Sequence, residues 1–293
     1  MRSHDHRSHT WQASDYDLAA TLGCGQAFRW TAARGAWEGV VSGRWVCLKQ
    51  SGETISAECP ADQRDWAWLE DHLQLHVDLA AVLASFPDDI PLRSAVGACR
   101  GLRLLKQEPW ECLASFICSS TKQIVQIRQI IALLSERFGD PIPSMHGLAH
   151  AFPSAAQIAT ATEAELRACK LGFRAPYLLA TARRIASGEL NLDALTAMPL
   201  AGAREQLESL PGVGRKVADC ALLFGFGFPT AFPVDVWVLK ALRQLYFPKR
   251  KPRPARLRHF ADTYFGPHAG YAQQYLFHAM RLGKLSPATG LPG

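Results

Sequence analysis

The spacing of apolar side chains changes once along the chain, at Cys59-Pro60, and this change limits the fold more than any other feature. Before it, short apolar and aromatic runs are separated by glycine, and three of them are typical of β-strands: residues 27–30, 36–41 and 44–48. Arg34-Gly35 and Ser42-Gly43 predict tight turns between these runs. After it, apolar residues recur at helical intervals. The sequence therefore predicts an α+β fold, with a small N-terminal antiparallel β-sheet and a larger all-helical part.

Three segments follow from these patterns. The first residues include His4, His6, His9 and Asp5, for which a metal site is one interpretation. A solvated terminus is the commoner state, so we predict a flexible tail over residues 1–14. Helical patterns over 66–75 and 79–86 lead to a boundary marked by prolines at 87 and 91. We therefore predict a sheet domain over residues 15–92 and a helical domain over residues 93–293.

The composition favours nucleic acid as a partner. The 293 residues include 32 Lys and Arg against 26 Asp and Glu, giving a net charge of +6 and a pI near 9.0. Such a basic excess attracts polyanions. No apolar run approaches the roughly 18 residues of a membrane-spanning helix, and the N-terminus lacks the apolar stretch of a signal peptide. We expect a monomer with no membrane partner that is not secreted: cytoplasmic at the nucleoid in a bacterium, nuclear in a eukaryote.

Eight cysteines are spread along the chain without any C-x-x-C pair. This spacing disfavours a disulfide scaffold and a zinc ribbon, and it predicts reduced thiols. The last cysteine is Cys220, so the C-terminal 73 residues hold none of the ligands that an iron–sulfur cluster needs. We predict no metal site and no cofactor.

The segment Leu210–Cys220, with the sequence LPGVGRKVADC, carries the most specific signal. A helical stretch leads into Gly212, Val213 and Gly214, and a second helix is predicted from about Arg215. The glycines permit a tight hairpin, and the free N–H groups at the start of the second helix can bind a phosphate oxygen. This pattern predicts a helix-hairpin-helix over about residues 203–226 that contacts the DNA backbone. An ordinary αα-hairpin is the alternative.

Lys216 and Asp235 are the candidate catalytic residues. Lys216 lies in the first turn of the second helix, where the helix dipole disfavours a positive charge and so favours the nucleophilic neutral amine. The alternative is a lysine that is exposed or binds phosphate. Asp235 follows Pro233-Val234 and precedes a helical pattern, so it could be a helix N-cap. A carboxylate there could equally stabilise a sugar cation while an N-glycosidic bond breaks.

Several segments in the same order resemble the 8-oxoguanine DNA glycosylase family of the helix-hairpin-helix superfamily. They are Gly25–Trp30, Gln107–Ser120, the hairpin with Lys216 and Asp235, Ala269–Gln273 and Leu276-Phe277. The resemblance extends from about residue 15 to residue 283. It implies a bifunctional glycosylase and AP lyase that flips 8-oxoguanine out of double-stranded DNA and excises it through a lysine Schiff base and β-elimination.

The resemblance also implies roles for single residues. Lys216 would attack C1′, and Asp235 would support the departure of the base. The Gly25 carbonyl would accept the N7 proton that distinguishes 8-oxoguanine from guanine. Gln273 would bind the Watson–Crick edge of the flipped base, and the base would lie between Phe277 and Cys220.

The chain departs from the family at positions next to the DNA. Thr121 stands where an asparagine fills the gap left by the flipped base, and Gln126 stands where an arginine reads the opposite cytosine. Arg174 is retained, but Phe173 replaces the usual tyrosine wedge. Trp237 replaces a histidine near the catalytic aspartate. We predict only a weak preference for cytosine opposite the lesion.

Two other functions are compatible with part of the sequence. A monofunctional alkylated-base glycosylase would keep Asp235 without needing Lys216, and a non-catalytic helix-hairpin-helix module would need neither. The basic cluster over residues 249–258 could contact DNA or direct nuclear import, but a solvated loop that attracts DNA weakly is the interpretation we favour.

Overall fold

A computed structural model describes residues 6–60, 65–248 and 252–285. Its larger sheet is built from β1 (His6–Gln12), β2 (Thr31–Ala33), β3 (Ala36–Val41), β4 (Arg44–Ser51) and β5 (Thr54–Pro60). All pairs are antiparallel, in the order β1-β5-β4-β3-β2. A separate hairpin joins β6 (Pro141–Ser144) and β7 (Gly147–His150). The predicted small antiparallel sheet is confirmed.

The rest of the described chain is mainly helical, as predicted. Its α-helices are α1 (Leu18–Gly23), α2 (Ala67–Leu73), α3 (Leu79–Ala84), α4 (Ile90–Ala98), α5 (Pro109–Cys118), α6 (Ile124–Phe138), α7 (Ala155–Ala159), α8 (Glu163–Ala168), α9 (Ala175–Ala186), α10 (Leu200–Glu208), α11 (Arg215–Phe224), α12 (Val236–Ala241), α13 (Pro254–Tyr264) and α14 (Ala269–Arg281). None of the helices in the described ranges is both long and apolar enough to cross a membrane.

The two predicted turns of the sheet have the expected geometry. Arg34 and Gly35 have φ angles of 50° and 77°, and Ser42 and Gly43 have φ angles of 47° and 74°. Two successive positive φ angles are characteristic of the type I′ turn, whose twist matches that of the strands it joins. The turns therefore fix the registers of β2 with β3 and of β3 with β4.

The structure corrects the N-terminal prediction. Residues 6–12 form the edge strand β1 rather than a flexible tail, and they pair with β5 from His6 to Gln12; residues 1–5 of the predicted tail lie outside the described residues. The side chains of β1 are mostly exposed, so pairing of the backbone holds it in place. The Trp11 indole adds a hydrogen bond by donating to the Glu70 carboxylate at 2.7 Å.

Residues 27–30, predicted as a strand, also differ in the structure, because β2 begins only at Thr31. The apolar residues of this run are buried rather than alternating between two faces. Trp30 packs so closely on Gly39 that a β-carbon on this glycine would overlap the indole ring. The run is therefore a buried connection into the sheet.

The described residues form two large apolar cores and a smaller third one. One lies under the sheet and includes Trp30, Leu48 and Ile55, and the larger one fills the helical part. Leu79 of α3 and Leu92 of α4 belong to the larger core, and α4 packs against α14. Within the residues 15–92 that we predict as the sheet domain, α3 and α4 therefore pack with the helical part.

Candidate active site

The predicted helix-hairpin-helix is formed by α10, α11 and the residues between them. The second helix begins at Arg215, as predicted. Gly212 has a φ angle of 74°, and a β-carbon there would come within 2.6 Å of the Tyr177 ring, so glycine is required for two reasons. Val213 is buried and anchors the hairpin. Gly214 is the N-cap of α11 and no side chain caps this helix, which leaves its first N–H groups suited to binding a phosphate.

Lys216 is the second residue of α11 and points toward the C-terminus of α5. Its Nζ donates to the Ser119 Oγ at 3.1 Å and lies 4.9 Å from the centre of the Phe116 ring. No carboxylate of the described residues is within salt-bridge distance of this amine. Lys216 also lines a cavity of about 380 Å³, together with Gly212 and Gly214. An amine in such a position can approach a nucleotide bound at the hairpin.

Asp235 is the N-cap of α12 and also lies close to Lys216. Its Oδ1 accepts the N–H groups of Trp237 at 3.0 Å and Val238 at 2.8 Å. Burial raises the pKa of Asp235, while these hydrogen bonds and the charge of Lys216 oppose the rise. The position of Asp235 is therefore compatible both with the N-cap role and with a carboxylate that stabilises a sugar cation. Trp237 is partly buried and contacts the Lys240 ammonium, which lies 5.4 Å from its ring centre.

The residues predicted to hold the flipped base lie on α11, on α14 and before β2. Cys220 is one turn after Lys216, and burial raises the pKa of its thiol to about 12. Gln273 is 4% exposed, and its Oε1 accepts no hydrogen bond from the described residues. Phe277 follows one turn later on α14 and is partly buried. None of these three side chains is part of the wall of the cavity beside Lys216.

Gly25 has a conformation and surroundings that only glycine tolerates. Its φ angle is 93°, and a β-carbon would come within 2.6 Å of the Ile124 Cδ1. The same position is 3.8 Å from the Arg281 Nη1, which brings Gly25 next to the end of α14. At the other end of α14, Gly270 packs against Leu223 of α11. The fold thus brings α14 into contact with both Gly25 and the helix that carries Lys216 and Cys220.

Arg174 and its neighbours form a packed group. Arg174 is 2% exposed, and its Nη2 donates to the Thr121 Oγ1 at 2.6 Å and to the Ser120 carbonyl. The Phe173 ring lies 4.2 Å from the guanidinium and is 54% exposed, as a wedge residue would be. The Gln126 Oε1 accepts the N–H of Gln123 at 3.1 Å in a capping box. The Arg174 Nη2 and the Gln126 side-chain carbonyl therefore both form hydrogen bonds within the protein.

An ion network around Asp219 was not predicted from the sequence. Asp219 is 1% exposed and pairs with the Arg204 Nε at 2.7 Å and the Arg215 Nε at 3.2 Å. Arg215 in turn donates to both carboxylate oxygens of Asp262, at 2.7 and 2.9 Å. The network ties α10, α11 and α13 together around the hairpin. The four-residue spacing of Arg215 and Asp219 was the available signal.

The basic cluster is divided by the structure. Residues 249–251 lie outside the described residues, and residues from Pro254 onward belong to α13 rather than to a solvated loop. Arg258 lines the cavity that contains Lys216. At least this arginine therefore faces the candidate active site.

Family models match two consecutive parts of the chain. The model of the 8-oxoguanine DNA glycosylase N-terminal domain matches residues 10–113, and that of the HhH-GPD superfamily base excision DNA repair proteins matches residues 114–266. The match passes from one model to the other inside α5.

Similar proteins cover nearly the whole chain. The N-glycosylase/DNA lyase of Saccharomyces cerevisiae is 31% identical over 329 residues, covering 94% of this chain and 86% of its own. The one from Arabidopsis thaliana is 30% identical over 284 residues, covering 91% and 78%. The crystal structure of Clostridium acetobutylicum 8-oxoguanine glycosylase/lyase with DNA containing cytosine opposite 8-oxoguanine has a TM-score of 0.88 at 31% identity, covering 94% of this chain and 99% of that one. The chain belongs to the 8-oxoguanine DNA glycosylase family of the HhH-GPD superfamily.

Proposed function

We propose that this protein excises 8-oxoguanine from double-stranded DNA and then cleaves the strand. The observation that carries the proposal is the position of the Lys216 amine. Lys216 is two residues after Gly214 of the hairpin, and its amine donates to Ser119 and lies beside Asp235 without a salt bridge to any described carboxylate. The names of the relatives, N-glycosylase/DNA lyase, describe the same pair of reactions.

The residues suggest the order of steps. The lone pair of the Lys216 amine forms a bond to C1′ while the C1′–N9 bond breaks and its electrons leave with the base. Asp235 stabilises the positive charge that develops on the sugar. Loss of the amine protons and opening of the sugar ring give a Schiff base. Removal of a C2′ proton then expels the 3′ phosphate by β-elimination, and water later releases Lys216.

All of the groups named in these steps belong to one copy of the chain, so we propose that it acts as a monomer. The substrate would place it at the nucleoid in a bacterium or in the nucleus of a eukaryote. A monofunctional alkylated-base glycosylase is less compatible with the geometry, because its water-based chemistry has no use for the Lys216 amine.

Borohydride trapping tests the proposal. Borohydride added to the wild-type protein and an 8-oxoguanine duplex should link the protein covalently to the DNA, because only a Schiff base is reducible. We expect Lys216→Gln to abolish trapping and base release while duplex binding changes less than about threefold, within the small effect of a peripheral contact. Lys240→Gln is the matched control, because Lys240 is an exposed lysine on the neighbouring helix α12. Normal trapping by Lys216→Gln would refute the assignment.

A further inference from the structure

Two arginines lie next to each other without an acidic partner. Arg128 of α6 and Arg281 of α14 form no salt bridge with a carboxylate of the described residues. The Nε atom of each is buried and donates no hydrogen bond within the described ranges. Burial lowers the pKa of Arg128, and the charge of Arg281 lowers it further. A buried N–H group is costly unless it is hydrogen-bonded, so these two half-buried arginines are suited to an acceptor from outside the chain.

The position of the pair is defined by Gly25 and Phe277. The Arg281 Nη2 donates to the Gly23 carbonyl at 3.1 Å, and its guanidinium carbon lies 5.7 Å from the centre of the Phe277 ring. The Arg281 Nη1 makes no hydrogen bond to a described residue and lies 3.8 Å from the position of a β-carbon on Gly25. Arg281 is therefore held on one side and has a free donor on the side that faces Gly25.

Arg128 approaches the same place from α6. Ile124, one turn earlier on this helix, contacts Gly25, since its Cδ1 is 2.6 Å from the same β-carbon position. Arg128 repels Arg281 and donates no hydrogen bond to the described residues. Two positive charges therefore converge beside the glycine that is predicted to contact the oxidised base.

The chemistry of the lesion identifies a suitable acceptor. Compared with guanine, 8-oxoguanine carries a proton on N7 and an oxygen on the adjacent carbon, C8. If the Gly25 carbonyl accepts the N7 proton, the C8 oxygen must lie beside it, and a carbonyl oxygen is a good acceptor for a guanidinium. We propose that Arg281 determines specificity by donating a hydrogen bond from Nη1 to the C8 oxygen, with Arg128 adding positive charge behind it. This inference rests on the proposed function.

The test compares two lesions that differ only at this acceptor. Duplexes carry 8-oxoguanine or 8-thioguanine opposite cytosine; both bases keep the N7 proton, but sulfur is the weaker acceptor. In single-turnover assays we expect Arg281→Leu to slow excision of 8-oxoguanine by roughly ten- to a hundredfold, the usual range for a charge-assisted hydrogen bond, and excision of 8-thioguanine by less than about threefold. Arg281→Lys, which keeps a charged donor, should recover part of the difference.

Arg137→Leu is the matched control, because Arg137 is an arginine near the far end of α6 and pairs with Glu165 on the surface. It should leave both rates unchanged. If Arg281→Leu does not fold, Arg281→Gln replaces it, since an amide can still donate to the Gly23 carbonyl without carrying charge. In either variant, a reduced ratio of the 8-oxoguanine rate to the 8-thioguanine rate supports the proposal.

An equal loss of rate on both lesions would overturn the inference. If the salt dependence of DNA binding were also weaker by about one counterion, Arg281 would be a phosphate contact instead. Failure of the proposed function is distinguishable, because the wild-type protein would then neither excise 8-oxoguanine nor be trapped on it.

Discussion

Asp235 caps helix α12 and is also the proposed catalytic carboxylate, and a single substitution can separate these two roles. The amide of Asp235→Asn can still accept the N–H groups of Trp237 and Val238, but it has no charge to stabilise a sugar cation. We expect excision to slow by about a hundredfold or more, as for loss of other transition-state electrostatics, with little change in thermal stability. Single-turnover rates and thermal denaturation measure the two effects. Asp78→Asn, at the N-cap of α3, is the control. A joint loss of stability and activity would mean that capping is the main role.

We expect Thr121, Gln126 and Arg174 together to determine how the opposite base is recognised. Threonine is shorter than asparagine, glutamine lacks a guanidinium, and the Arg174 Nη2 is already bonded to Thr121 and Ser120. One bidentate contact is worth about 1–3 kcal/mol, so its loss leaves only a weak preference for cytosine. Excision rates on four duplexes, each with a different base opposite 8-oxoguanine, measure this preference. Gln126→Arg should raise it about tenfold. A wild-type preference above about a hundredfold would contradict the prediction.

At the level of elements, the helix-hairpin-helix depends on Gly212. In Gly212→Ala the new methyl group meets the Tyr177 ring at 2.6 Å on a backbone with a φ angle of 74°. We expect a loss of about 1–3 kcal/mol in stability and at least about tenfold weaker binding to undamaged duplex DNA, because the N–H groups that we predict to bind phosphate would move. Denaturation and binding titrations measure both.

Gly202→Ala is the matched control for this experiment. Gly202 lies inside α10, and a β-carbon there has no neighbour within 4 Å. Alanine should therefore stabilise the helix by up to about 1 kcal/mol and leave binding unchanged. If Gly212→Ala bound DNA normally, the hairpin would not be the phosphate contact.

The sequence predicts some of these elements well and others poorly for physical reasons. The start of α11 at Arg215 and the turns at Arg34-Gly35 and Ser42-Gly43 depend on local backbone requirements that glycine makes visible. Strand β1 depends on pairing with β5, and its polar side chains leave no pattern. Apart from the four-residue spacing of Arg215 and Asp219, the Asp219 network and the Arg128–Arg281 pair unite residues that are distant in sequence, so spacing could not reveal them.

For the molecule as a whole, the buried residue His72 makes stability depend on pH. Its Nδ1 bonds to the Lys106 carbonyl at 2.7 Å, and burial lowers its pKa to about 4. As the pH falls from about 6.5 to 4, the unfolded chain takes up a proton that the folded chain does not. Stability is therefore fully present above pH 6.5 and lost toward pH 4, by about 3 kcal/mol for this group.

The variant His72→Asn isolates this effect. Asparagine can donate to the same carbonyl but does not titrate, so we expect a smaller loss of unfolding free energy between pH 7 and pH 4. Urea denaturation at both values measures it, with the exposed His76→Asn as the control. The comparison must be between variants, because burial raises the pKa of Glu111 to about 7 and thus acts in the opposite direction. Equal pH dependence in wild type and variant would rule out the role of His72.

The eight cysteines are all buried as free thiols. Oxidants attack the thiolate, and burial keeps the thiol protonated by raising the pKa of Cys118 to about 12 and that of Cys99 to about 11. Peroxide and related species therefore find few reactive thiols on this chain. Because such species also convert guanine to the proposed substrate, the enzyme would remain functional under the same oxidative stress that produces 8-oxoguanine.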